Sequence, residues 1–162
     1  MCIRDRHNLY GKVAYPKKHS PANIPSLYRW AASRGGVFVN PALTEPFGLT
    51  LLEASSCGLP IIATDDGGPK EIHAKCENGI LVDVTDINQL KIALEKGISN
   101  SAQWKLWSRN GIEGVHRHFS WRTHVRKYLS ILKGYNQKST IVSSSGIKES
   151  CLKGSSSLIK PH

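Results

Sequence analysis

The stretch that most constrains the fold runs from Val39 to Thr64 and reads VNPALTEPFGLTLLEASSCGLPIIAT. It opens at the end of a short apolar run, Val37-Phe38-Val39, and closes on another, Leu59 to Thr64. The closing run does not alternate, which is the pattern of a strand covered on both faces. Between the two runs, Pro46 and Gly48 punctuate the chain and an apolar stretch around Leu51, Leu52 and Ala54 is available for a helix. Strand, helix and strand in this order argue a parallel α/β sheet with flanking helices.

The rest of the chain extends the alternation. Leu9 to Tyr15 reads as a short strand and Pro16 to Asn23 as a loop. Ile24-Pro25-Ser26 opens a helix with Leu27, Trp30, Ala31 and Ala32 for its buried side, ended by Gly35-Gly36. Asp65 to Pro69 is a tight loop, and a helix from Pro69 covers Lys70 to His73. Gly79 to Val82 is a further strand. Asp86 caps a helix through Ile98 with Leu90, Ala93, Leu94 and Gly97 inward. Asn100-Ser101 caps a helix from Ala102 to His116, and Ser120 caps a last one from Trp121 to Lys133. The first eight residues are expected to be unstructured or foreign to the domain, residues 9–133 to form it, and 134–162, rich in Ser, Lys and Gly, to be a disordered tail.

Glu45 and Glu53 bracket the candidate site. Pro is favoured at the first helical position, so a helix starting near Pro46 leaves the amides from Phe47 onward without intrahelical partners. Free N–H groups at the positive end of a helix dipole bind anions, and Gly48 allows close approach to the backbone. Carboxylates accept hydrogen bonds from sugar hydroxyls. A nucleotide sugar fits this arrangement, with phosphates on the amides and a sugar ring near each Glu. In open parallel sheets ligands bind at the carboxyl ends of the strands, where both the Glu45 segment and Gly67-Gly68 fall. Glu53, set among Leu51, Leu52 and Ala54, is expected to need a partner for its charge.

Composition excludes more than it selects. In 162 residues, 40% hydrophobic and 21% charged content suits a globular domain. A formal net charge of +10 permits anionic partners, but no nucleic-acid-binding motif accompanies it, so nucleic acid is not expected as a partner. The four cysteines form no C-x-x-C pair and suit a reducing, cytoplasmic setting. No apolar run approaches the length of a membrane span.

Other features have plainer readings. Gly67-Gly68 is either a turn or a point of close ligand access, and the residues favour neither. His73 reads as a surface or helix-capping residue, and His116 and His118 lack the supporting ligands of a metal site. Trp104, Trp107 and Trp121 read as core, and Cys57 as a small buried hydrophobe.

The Glu45 to Glu53 stretch resembles the E-x7-E motif of retaining glycosyltransferases with the GT-B fold. Its context, NPALTEPFGLTLLEA followed by GLPIIAT and GGP, is similar to the sucrose-related branch. LYGKVAYPKKHSPANIPSLYRWAA and the later FSW resemble plant sucrose-phosphate synthases, ahead of sucrose synthases, which share much of the motif. The resemblance covers roughly Leu9 to Lys133. It implies part of a Rossmann-like C-terminal GT-B domain and transfer of glucose from UDP-glucose to fructose 6-phosphate, with retention, to give sucrose 6-phosphate and UDP. Glu45 would hold the donor glucose as the catalytic-site carboxylate. The backbone at Phe47, Gly48, Leu49 and Thr50 would meet the sugar and pyrophosphate, and Glu53 the ribose hydroxyls. No metal or other cofactor is implied. The family's acceptor domain and its upstream phosphate-binding Arg and Lys have no counterpart here, so the isolated chain is expected to be inactive; a non-catalytic UDP-sugar-binding module is the alternative reading.

Overall fold

The structure is a computed structural model that describes residues 3–15, 18 and 20–144, with side chains through residue 134. The chain divides into two compact units, residues 1–119 and 120–162.

The first unit is built on a three-stranded parallel sheet: β1 (Phe38–Asn40), β2 (Ile61–Thr64) and β3 (Gly79–Val82), in the order β1-β2-β3. Phe38 pairs with Ile61, and Ile61 in turn with Gly79. The helices are α1 (Ile3–Arg6), α2 (Ile24–Ser33), α3 (Leu49–Ser56), α4 (Gly68–Cys76), α5 (Ile87–Ser99) and α6 (Ser101–His118), with a short 3-10 turn at Pro21–Asn23. All four residues of β2 are buried, as its unbroken apolar run foretold. Its two faces meet different clusters. Ile61 and Ala63 pack with Leu51, Ile72 and Cys76. Ile62 packs with Val82 and Ala93. The α5 helix starts as its sequence requires, with Asp86 Oδ1 accepting from the amides of Asn88 (2.9 Å) and Gln89 (3.2 Å). Asn100 Oδ1 does the same for α6, from Ala102 (3.1 Å) and Gln103 (3.0 Å).

Several expectations are corrected. Leu9 to Tyr15 is not a strand: Lys12 N–H bonds back to Leu9 O, the segment turns, and Tyr10, Val13 and Tyr15 stay exposed with no strand beside them among the described residues. Residues 3–6, in the start expected to be unstructured or foreign to the domain, form the short α1, with the Arg4 guanidinium over the Tyr10 and Tyr15 rings at 5.9 and 5.3 Å. On α2 the inward side is Ile24, Tyr28, Ala31 and Ala32, whereas Leu27 and Trp30 are exposed. The reason is the edge-to-face contact of Tyr28 with Phe38 of β1, centroids 5.5 Å apart, which sets the helix's rotation.

The second unit is described by α7 (Trp121–Ser144). Thr123 N–H donates to Ser120 Oγ at 3.3 Å, the expected cap. Trp121, read as core, is 81% exposed. The helix does not stop at Lys133: Gly134 weakens a helix without ending it, and no Pro follows before Ser144. The remainder of the expected tail, 145–162, lies outside the described residues, as do most of Pro16–His19.

Candidate functional site

Two loops leave the carboxyl ends of β1 and β2 and are joined to each other. The segment after β1 runs from Pro41 to Gly48, and that after β2 from Asp65 to Gly67. Gly68 N–H donates to Glu45 O at 2.7 Å, and Glu45 and Gly67 form an isolated parallel bridge. Thr44 Oγ1 donates to Asp66 Oδ2 at 2.9 Å. This decides between the two readings of the Gly pair. Gly67 has φ +81°, and a Cβ there would lie 2.3 Å from Glu45 O; one on Gly68 would lie 2.6 Å from the Phe47 carbonyl. The close approach that demands glycine is made by the neighbouring loop.

The helix α3 begins at Leu49, not near Pro46. Gly48 adopts φ +75°, a left-handed conformation that turns the chain into the helix axis. Pro46 therefore sits in a bend before the helix, where its fixed φ is equally at home. Glu45 fills the space this creates. Its Oε1 accepts from Gly48 N at 3.0 Å and Phe47 N at 3.4 Å, and its Oε2 from Asn40 Nδ2 at 3.0 Å. The Gly48 amide first, then the Asn40 side chain, hold the Glu45 carboxyl below the ordinary carboxylate range.

Of the amides expected to meet the ligand, those of Phe47 and Gly48 thus donate to Glu45. The first bond into α3 is Leu52 N to Gly48 O. The amides of Leu49, Thr50 and Leu51 precede it and are the helix's orphan donors. Phe47 and Leu49 hold their side chains in solvent, at 78% and 67% exposure.

Glu53 lies elsewhere on the same helix. It is on the exposed side of α3, opposite the buried Leu51, Ala54 and Ser55, so solvent reaches its charge where its apolar neighbours suggested a need for a partner. It faces an open groove of about 450 Å³ lined also by Pro21, Ile24, Pro25, Tyr28, Arg29, Ser56, Cys57 and His116. Burial pushes the Tyr28 phenol up, and the nearby charges of Glu53 and Cys57 add to it. Cys57 is half-buried on this groove rather than in the core. The sequence marks Tyr28 and Arg29 only as part of the LYGKVAYPKKHSPANIPSLYRWAA resemblance and not as individual site residues.

The remaining candidates have structural partners. His73 Nε2 is 3.1 Å from Gly79 O, tying α4 to β3. Trp104 Nε1 donates to Gly36 O at 2.8 Å. Among the described residues, no group of three or more His, Cys, Asp or Glu side chains is placed to hold a metal ion, and no helix is long and apolar enough to cross a membrane.

Residues 2–114 match the family described as glycosyl transferases group 1. The chain is 51% identical over 126 residues to sucrose-phosphate synthase 4 of Arabidopsis thaliana, covering 78% of this chain and 12% of that protein. It is 48% identical over 130 residues to the sucrose-phosphate synthase of Zea mays, covering 80% and 12%. Among solved structures, a sucrose-phosphate synthase from Thermosynechococcus elongatus superposes with a TM-score of 0.66 at 28% identity, covering 87% of this chain and 33% of that one. The C-terminal domain of a glycosyl transferase group 1 protein from Francisella tularensis superposes with a TM-score of 0.57 at 26% identity, covering 74% and 64%. The chain spans 12% of the length of these two plant relatives. With most of its residues inside the family match, and with the parallel sheet and flanking helices of the GT-B neighbours, this chain belongs to the group 1 glycosyl transferases.

Proposed function

We propose that this chain forms the donor-binding part of a sucrose-phosphate synthase, which in the cytoplasm transfers glucose from UDP-glucose to fructose 6-phosphate with retention. The observation that carries the reading is the start of α3: the two exposed amides of Leu49 and Thr50, without intrahelical partners, at the carboxyl side of a parallel sheet, with Glu45 before them and Glu53 beyond them on the open groove. The similarity to the plant sucrose-phosphate synthases supports the choice of nucleotide sugar and acceptor.

In this reading the exposed amides of Leu49 and Thr50 receive the pyrophosphate, and the positive end of the helix favours its charge. Phe47 and Gly48 act indirectly, by fixing Glu45. Glu45 accepts donor glucose hydroxyls through the lone pairs its own loop leaves open. Glu53 accepts the ribose hydroxyls, with Tyr28 and Arg29 beside it for the rest of the nucleoside. Attack comes from the face that UDP leaves, and the leaving phosphate helps take the acceptor proton. Stabilisation of the developing charge on UDP is the main catalytic contribution of these residues.

Calorimetric titration with UDP tests the assignment. Removing a carboxylate that accepts ligand hydrogen bonds costs about 1.5 kcal/mol or more, so Glu53→Ala is expected to weaken UDP binding about tenfold. An unchanged affinity would remove Glu53 from the site. Binding of oligonucleotides but not UDP, falling steeply with salt, would overturn the reading.

A further inference from the structure

We propose that Asn40 sets the orientation of the Glu45 carboxylate toward the donor sugar, a positioning role that rests on the reading of Glu45 given above. Asn40 is the last residue of β1, its Cα in register with Ala63 of β2, so its backbone is anchored in the sheet. Its side chain is anchored independently. Asn40 Oδ1 accepts from Ala42 N at 3.1 Å, which assigns the amide: the carbonyl faces Ala42 and the NH₂ faces Glu45. The opposite rotamer would set Oδ1 against Oε2, two acceptors with no proton between them.

The consequence for Glu45 is geometric. The Gly48 and Phe47 amides hold Oε1 alone. A carboxylate held at one oxygen can still turn about the bond that carries it. The Asn40 Nδ2 contact at 3.0 Å fixes the second oxygen and therefore the carboxylate plane. Oε2 then accepts one hydrogen bond from Asn40 and keeps a lone-pair direction for a ligand hydroxyl. An apolar residue at this position would continue the apolar run of Val37 to Val39 but would leave that plane undefined. Pre-set acceptor geometry of this kind favours a ligand carrying the sugar over one that ends at the phosphate.

The test is the selectivity between UDP-glucose and UDP, measured calorimetrically on the whole chain. Asn40→Ala is expected to weaken UDP-glucose about tenfold while leaving UDP within about twofold. In a Glu45→Ala background the same substitution should have no further effect on that ratio. Asn40→Asp keeps the acceptor for Ala42 N and sets a second negative charge against Oε2, so its loss for UDP-glucose should be larger. Equal weakening of both ligands, or of neither, would overturn the proposal. Should the wild-type chain bind neither nucleotide, the functional reading above fails, and the positioning claim is still decided by NMR titration of the Glu45 carboxyl. Asn40→Ala must move that titration up toward the ordinary carboxylate range; an unmoved titration refutes it.

Discussion

Glu45 carries three hydrogen bonds on its carboxylate and one on its own carbonyl, so a single residue ties β1, the start of α3 and the start of α4 together. Both carboxylate oxygens serve as full acceptors only in the charged form. Because Gly48 and Asn40 depress its folded-state pKa below the unfolded value, the stabilisation they give is fully present above the unfolded value, about 4.3. It fades as pH falls through the depressed folded value. Glu45→Gln keeps the shape and removes the charge. Its Tm should lie below that of the wild type at pH 7, and the gap should close on acidification as the wild type also becomes neutral. Thermal melts of both proteins across this range check it; a gap that persists at low pH would assign the effect to shape instead of charge.

At the scale of elements, the joint between the two loops is the point of greatest sensitivity. Gly67→Ala places a Cβ 2.3 Å from Glu45 O in a residue held at φ +81°. Strain and clash together are expected to cost about 2–3 kcal/mol, lowering the Tm by about 5–10 °C, with weaker UDP binding in parallel. A Tm unchanged by this substitution would mean that the loops are not joined in solution. Sequence alone could show the strands of this region, because β2 is buried on both faces and its apolar run is unbroken. It could show the α5 start, because Asp86 is an unambiguous cap. It could also show that Glu45 and Glu53 belong to a strand–helix connection. The true start of α3 was hidden because Pro46 suits a bend as well as a first helical turn, and only Gly48's backbone distinguishes them. The groove at Glu53 was hidden because it exists only where Pro21 to Arg29 approaches α3, a tertiary event without local signature.

For the first unit as a whole, β2 is the centre of stability. It is paired on both sides and buried on both faces, whereas β1 and β3 each pair with β2 alone among the described residues. Amide hydrogen exchange should therefore be slowest at Ile62 and Ala63, and faster in β1 and β3. Faster exchange in β2 than in its neighbours would contradict this arrangement. The joint between Glu45 and Gly67-Gly68 has a consequence for redesign and for descent alike. Thr44 and Asp66, whose side chains help close it, stand 22 positions apart in the chain, yet hydrogen bonds between the two loops fit each to the other. A graft that replaces residues 41–48 with the equivalent loop of another transferase transplants half of a fitted pair. Donor preference should pass between such enzymes only when both segments travel together.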